Sequence, residues 1–252
     1  MAYTNIDDPS AYFQTALYTG DGNDDRQVTN DGNSDLKPDW VWLKDITQAQ
    51  SHALFDSTRG ATKRIQSNST GAESTETATL KSFTTDGFTL GTSSTINNGS
   101  NPDEYVAWQW KANGGTTASN SDGSIASTVQ ANTDAGFSIV TFTSPASSGT
   151  GIFSVGHGLG QIPAMVITKS REGTSNWWSW HKGLTGGNSN TSYIIALERI
   201  SVEASYSNAW GAGMTSSVFG MQSGNTAVAS KDYVAYCFAE KQIGRASCRE
   251  RV

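Results

Sequence analysis

A chain of 252 residues with a formal charge of -6 and no cluster of Lys or Arg lacks the electrostatic footprint of a nucleic-acid binder. Its 2 cysteines (Cys237 and Cys248) and 3 histidines (His52, His157 and His181) stand in no ligand spacing, so neither a disulfide framework, a metal site nor a cofactor is expected. Charged residues make up 16% and apolar ones 36%, with Gly, Ser, Thr and Asn filling the rest, a balance that suits short strands and many turns under a neutral polar surface.

No segment carries a sustained 3.6-residue apolar stripe, whereas period-two alternation recurs throughout, so the chain reads as all-β. In chain order the first predicted strands are 12–18, 39–44, 53–56, 79–83, 88–91 and 105–111. The Ser-, Thr-, Asn- and Gly-rich stretch 114–133 reads as a flexible connector. Beyond it come strands at 137–143, 164–169, 177–180, 192–197, 218–221 and 233–240.

The second set repeats the first. Phe13-Gln-Thr-Ala-Leu-Tyr-Thr19 is answered by Phe137-Ser-Ile-Val-Thr-Phe-Thr143, an offset of about 124 residues. Pro38-Asp-Trp-Val-Trp-Leu-Lys44 is answered by Pro163-Ala-Met-Val-Ile-Thr-Lys169, and Asp103-Glu-Tyr-Val-Ala-Trp-Gln-Trp110 by Lys231-Asp-Tyr-Val-Ala-Tyr-Cys-Phe238. Three landmarks in one order indicate an internal duplication. The expected architecture is a tandem of antiparallel β-sandwiches, jelly-roll or lectin-like, with units at 1–113 and 134–242 joined by the 114–133 linker.

On the strand 105–111, Val106, Trp108 and Trp110 share a face, expected to be core, while Ala107 and Gln109 face a second layer or solvent. Trp40 and Trp42, aligned with Met165 and Ile167, are expected to pack as well. The run Trp177-Trp-Ser-Trp180 with His181 is different, because alternation sends at least one Trp outward. Trp177, Trp178, Trp180 and His181 are therefore the candidate ligand-binding residues, with an exposed Trp face as a sugar platform. In Asp56-Ser-Thr-Arg-Gly60 the spacing predicts a structural ion pair between Asp56 and Arg59, with Gly60 at positive φ. Val155-Gly-His-Gly-Leu-Gly160 is a glycine-rich strand turn and not a phosphate loop. The acidic run Asp21-Gly-Asn-Asp-Asp25 is read as a solvated turn in preference to a Ca²⁺ loop. Glu73, Glu76, Glu104, Glu172, Glu198 and Glu203 show no pairing of the kind glycoside hydrolysis needs, and no Gly-x-Ser-x-Gly elbow is present, so no catalytic residue is assigned.

The strings Pro38–Lys44, His52-Ala-Leu-Phe-Asp-Ser-Thr-Arg-Gly60, Phe83-Thr-Thr-Asp-Gly-Phe-Thr-Leu-Gly91, Tyr105–Lys111, Val155–Gly160 and Tyr233–Glu240 together resemble a family of repeat-bearing structural proteins of tailed-phage virions, common in marine phages. The resemblance implies a non-enzymatic tail-fibre or appendage module in the virion, contacting other virion subunits or a host-surface glycan or protein, and is compatible with a homo-oligomer. A lectin-like carbohydrate-binding module and a fragment of a polysaccharide depolymerase are the alternatives. No membrane insertion is expected, since no stretch approaches the roughly 20 apolar residues of a span. The Arg-rich end, Ile243-Gly-Arg-Ala-Ser-Cys-Arg-Glu-Arg-Val252, breaks with the preceding composition and resembles a translated sequencing adapter, which implies a natural frame running on past Gln242.

Overall fold

The computed structural model describes residues 6–100, 103–146, 151–187, 191–211 and 213–241; the tail Ile243–Val252 lies outside the described residues. The first half contributes β1 (Phe13–Thr19), β2 (Arg26–Val28), β3 (Trp40–Asp45), β4 (Ala53–Asp56), β5 (Gly60–Ile65), β6 (Ser74–Thr75), β7 (Leu80–Thr84), β8 (Gly87–Leu90) and β9 (Glu104–Trp110). The second contributes β10 (Ala118–Asn120), β11 (Ser127–Asn132), β12 (Phe137–Thr143), β13 (Ile152–Gly156), β14 (Pro163–Ser170), β15 (Trp178–His181), β16 (Tyr193–Ala196), β17 (Ala204–Ser205), β18 (Val218–Gln222) and β19 (Asp232–Ala239). Pro9–Ala11 forms a 3-10 turn, and among the described residues no helix is long and apolar enough to cross a membrane.

The expected all-β class and the duplication are both visible in strand order. A six-stranded sheet runs β1-β9-β3-β4-β5-β6, and an eight-stranded sheet contains the same succession as β12-β19-β14-β15-β16-β17, preceded by the hairpin β10-β11. The named strands pair antiparallel throughout. A small outer sheet covers each large one: β2-β8-β7 in the first copy and β13-β18 in the second.

Alternation then builds three cores. Val41, Leu43, Phe55 and Ala107 of the six-stranded sheet meet Val28, Leu80, Phe88 and Leu90 of its outer sheet. In the second copy Val140, Val166, Trp180 and Ala235 meet Phe153, Val155, Phe219 and Met221. The opposite faces of the two large sheets pack on each other: Trp40, Leu54 and Ile65 from the first, Phe137, Ile139, Ile167 and Tyr236 from the second. Trp40, 1% exposed, stacks on Tyr236 at a centroid distance of 4.1 Å and on Phe137 at 5.8 Å.

This four-layer stack corrects two expectations. Ala107 and Gln109 face a second layer, one of the two expected arrangements, and are fully buried within the first copy, whereas the aromatic face expected to be core is only half-buried at Trp108 and Trp110, toward the second. The stretch 114–133 is not a flexible connector. It forms β10 and β11, with Val129 in the second core, and its start is pinned across the two copies. Asp39 accepts from the backbone N–H groups of Ala112 and Gly114, both at 2.8 Å, while the Gln130 side-chain oxygen accepts from Gly115 N–H at 2.7 Å. Polar composition signalled a loop there, but Ser127, Gln130 and Asn132 bond to backbone groups of neighbouring segments and hold the stretch in place.

Because the third core is shared, we expect a single urea-unfolding transition by both far-UV circular dichroism and Trp fluorescence. Trp40→Ala should lower stability by about 3–5 kcal/mol, the usual cost of truncating a buried aromatic. Two separated wild-type transitions would show the copies to fold independently.

Candidate functional site

The aromatic run singled out by sequence lies on and just before β15, and alternation splits it between two cores. Trp178 and Trp180 point toward the outer core of the second copy, Trp177 and Ser179 toward the first copy. Trp177 is fully buried, its indole N–H donating to the carbonyls of Gln66 at 2.8 Å and Ser69 at 3.1 Å. Trp180, 2% exposed, pairs with Val166 where Phe55 pairs with Val41 in the first copy. These two rings are therefore unavailable as sugar platforms, which corrects the expectation for Trp177 and Trp180. Trp178 remains half-buried, tilted against the exposed ring of Tyr206 at 6.0 Å. His181 is exposed, and its Nδ1 accepts from Gly183 N–H at 3.0 Å.

A hollow of about 320 Å³ opens beside this strand, lined mainly by Met165, Ile167, Ser179, His181, Leu184 and Ile195. Its origin is visible in the duplication. Trp40, Trp42 and Leu54 of the first copy occupy the register positions of Met165, Ile167 and Ser179, so smaller side chains leave space in the second. The Ser179 hydroxyl is buried with no hydrogen-bond partner among the described residues.

The ion pair predicted at Asp56 and Arg59 is present and fully buried. Arg59 N–H donates to Asp56 Oδ1 at 2.8 Å, its Nε to Oδ2, and the turn closes on Gly60 at φ +113°. The pair also belongs to a network that sequence did not reveal. Arg59 reaches Glu73 at 3.0 Å and the Tyr236 hydroxyl at 3.2 Å, Tyr236 donates to Asp56 at 2.7 Å, and Arg171 makes a two-pronged contact with Glu73 at 3.0 Å on each arm. Burial works against the Arg59 charge, but the neighbouring Asp56, Tyr236 and Glu73 outweigh it and hold the guanidinium above its ordinary pKa. Burial would raise the Glu73 carboxyl; its bonds to Arg171 and Arg59 prevail and lower it. Tyr236 is pushed well up by burial. The network joins the two copies, since Asp56, Arg59 and Glu73 belong to one and Arg171 and Tyr236 to the other.

Most other reactive-looking groups are likewise engaged. Asp21 pairs with Arg26 at 3.5 Å, and Asp24 and Asp25 share Lys81 at 2.9 and 2.6 Å, so two cations of the chain itself offset part of the charge of the acidic run. Glu76, Glu172 and Glu198 pair with Arg64, Lys231 and Arg199. Among the described residues no three His, Cys, Asp or Glu side chains come together as a metal site. His157 is buried, its Nδ1 accepting from Leu159 N–H at 3.1 Å and its Nε2 lying 3.2 Å from the Thr215 carbonyl, and burial lowers its pKa. Cys237 is buried and its thiol is pushed up to about 12, which leaves it unreactive.

Two copies of one antiparallel sandwich, packed through their large sheets, define the class of this molecule as an all-β double sandwich. Residues 8–244 match the family described as a domain of unknown function (DUF7483), and the chain belongs to that family. No curated protein matches it.

Lys169, the duplicate of Lys44, is the buried group that sequence did not single out. It has no exposed surface, and its ammonium donates to the Ser170 carbonyl at 2.9 Å and the Thr70 carbonyl at 3.3 Å. Burial lowers its pKa to about 8 against a smaller opposing pull from Glu198. Between that value and the ordinary lysine range the unfolded chain holds a proton that the folded chain has released, so stability rises with pH across the window. Urea titrations at pH 7, 8.5 and 10 should therefore show wild type gaining on Lys169→Met, by on the order of 1–2 kcal/mol in total. A difference that stays constant with pH would show that Lys169 keeps its proton throughout.

Proposed function

We propose that this chain is a non-catalytic structural module of a tailed-phage virion, part of a tail fibre or related appendage, which contacts other virion subunits or the host surface. The observation that carries the reading is the fusion of the two copies: a shared aromatic core and a buried Asp56–Arg59–Tyr236 clamp turn a duplicated sandwich into one stiff body. Stiffness between repeats suits a part that transmits load and presents a fixed surface. The engagement of Asp56, Arg59, Glu73 and Arg171 in structural pairs fits the same role, and the strings that resemble phage virion proteins run through both copies. Immunogold labelling of tailed-phage particles whose genome encodes this chain, with antibody raised against the purified chain, should decorate virion appendages. Label confined to non-particulate material would count against the reading, as would a fall in host-polysaccharide viscosity on incubation with the chain.

A lectin-like module is the second reading, favoured by the half-exposed Trp178 beside Tyr206. Under it, Trp178→Ala would weaken glycan-array binding by about two- to tenfold, since stacking on an aromatic face supplies roughly 0.5–1.5 kcal/mol. Binding that survives this substitution removes the platform.

A further inference from the structure

The two large sheets end in four edges, and three are blunted in the way that protects native sheets: β6 and β17 are two residues long and β10 three. The fourth is β1, seven residues in unbroken register with β9, with no charge, no proline and no bulge. Lys111 N–H bonds to the Tyr12 carbonyl and Gly20 N–H to the Asp103 carbonyl, so the even-numbered backbone groups serve β9. Alternation turns those of Phe13, Thr15, Leu17 and Thr19 to the outside. Among the described residues none bonds to them. The side chains there are apolar or neutral, with Phe13 40% and Leu17 73% exposed.

The duplicate strand shows that this edge accommodates a further strand. In the second copy β12 occupies the place of β1, and it is flanked by β11 in antiparallel register, with Thr128 opposite Thr141 and Gln130 opposite Ile139. The corresponding position beside β1 carries no described strand.

We propose that β1 pairs antiparallel with β1 of a second copy of this chain, about a two-fold axis through Thr15, joining two six-stranded sheets into one continuous sheet. The sequence of the strand selects this partner. With Thr15 opposite itself, each Phe13 faces Leu17 of the other copy, so the outward groups of both strands meet in register and the exposed apolar pair is covered twice. The association is self-limiting, because the other three large-sheet edges are too short to continue it. It does not depend on the appendage reading.

Light scattering on the purified full chain should give twice the 26.8 kDa mass of one chain. Thr15→Pro removes an outward N–H without touching the β9 ladder, and Leu17→Lys places a charge on the edge; each should weaken association by at least about tenfold while leaving the far-UV spectrum unchanged. In a Cys248→Ser background, Thr15→Cys should cross-link to itself under mild oxidation, since directly opposed hydrogen-bonded residues stand about 5.5 Å apart, within disulfide reach. Leu17→Cys, facing Phe13 instead of itself, should not. The proposal is overturned by a wild-type chain that stays monomeric at 100 μM, by a dimer that withstands both edge substitutions, by a larger closed assembly, or by equal cross-linking at the two cysteine positions.

Discussion

The packing of the two large sheets through Trp40 and Tyr236 is the constraint on which the remaining structure depends. A sandwich needs its sheet buried on one face only, yet both copies carry apolar side chains on the second face as well: Trp40, Leu54 and Ile65 in one, Phe137, Ile139 and Tyr236 in the other. Neither copy could leave that face in water without exposing a contiguous aromatic patch of the kind that soluble monomers rarely show. The duplication supplies the cover. Once the faces meet, the direction of each central strand's alternation is fixed, and with it the assignment of every residue on β3, β9, β14 and β19 to an inner or an outer core.

The charged clamp is subordinate to that packing. Desolvating Asp56 and Arg59 costs several kcal/mol for each ion, and such pairs contribute little net stability compared with a well-packed apolar replacement. What the network provides is geometry. A planar guanidinium meeting Asp56, Glu73 and the Tyr236 hydroxyl fixes the sliding position of one sheet over the other, where aromatic stacking alone would leave neighbouring offsets close in energy. Arg171 extends the same control to the edge of the contact.

Much of the fold was legible because repetition and alternation are both local properties of the chain. The twelve expected strands all fall on observed ones, and the order of landmarks in the two halves reappears as the order of strands in the two sheets. The Asp56–Arg59 pair was legible for the same reason, as a three-residue spacing closed by glycine. What stayed hidden was long-range. Nothing in Trp177-Trp-Ser-Trp180 says that Gln66 and Ser69, over a hundred residues earlier, supply the acceptors that draw Trp177 inside. The stretch 114–133 was misleading because Asp39 and Gln130 satisfy the backbone of a segment whose own composition is that of a loop.

The clamp also shows how far the copies have diverged. Counting along the register, His181 and Leu184 stand where Asp56 and Arg59 stand in the first copy, and both line the hollow. A pair of identical subunits would make such a contact twice, and any mutation would strike both places together. Covalent fusion has released the halves from that obligation: one location holds the lock, and its twin carries unrelated side chains and an open hollow instead.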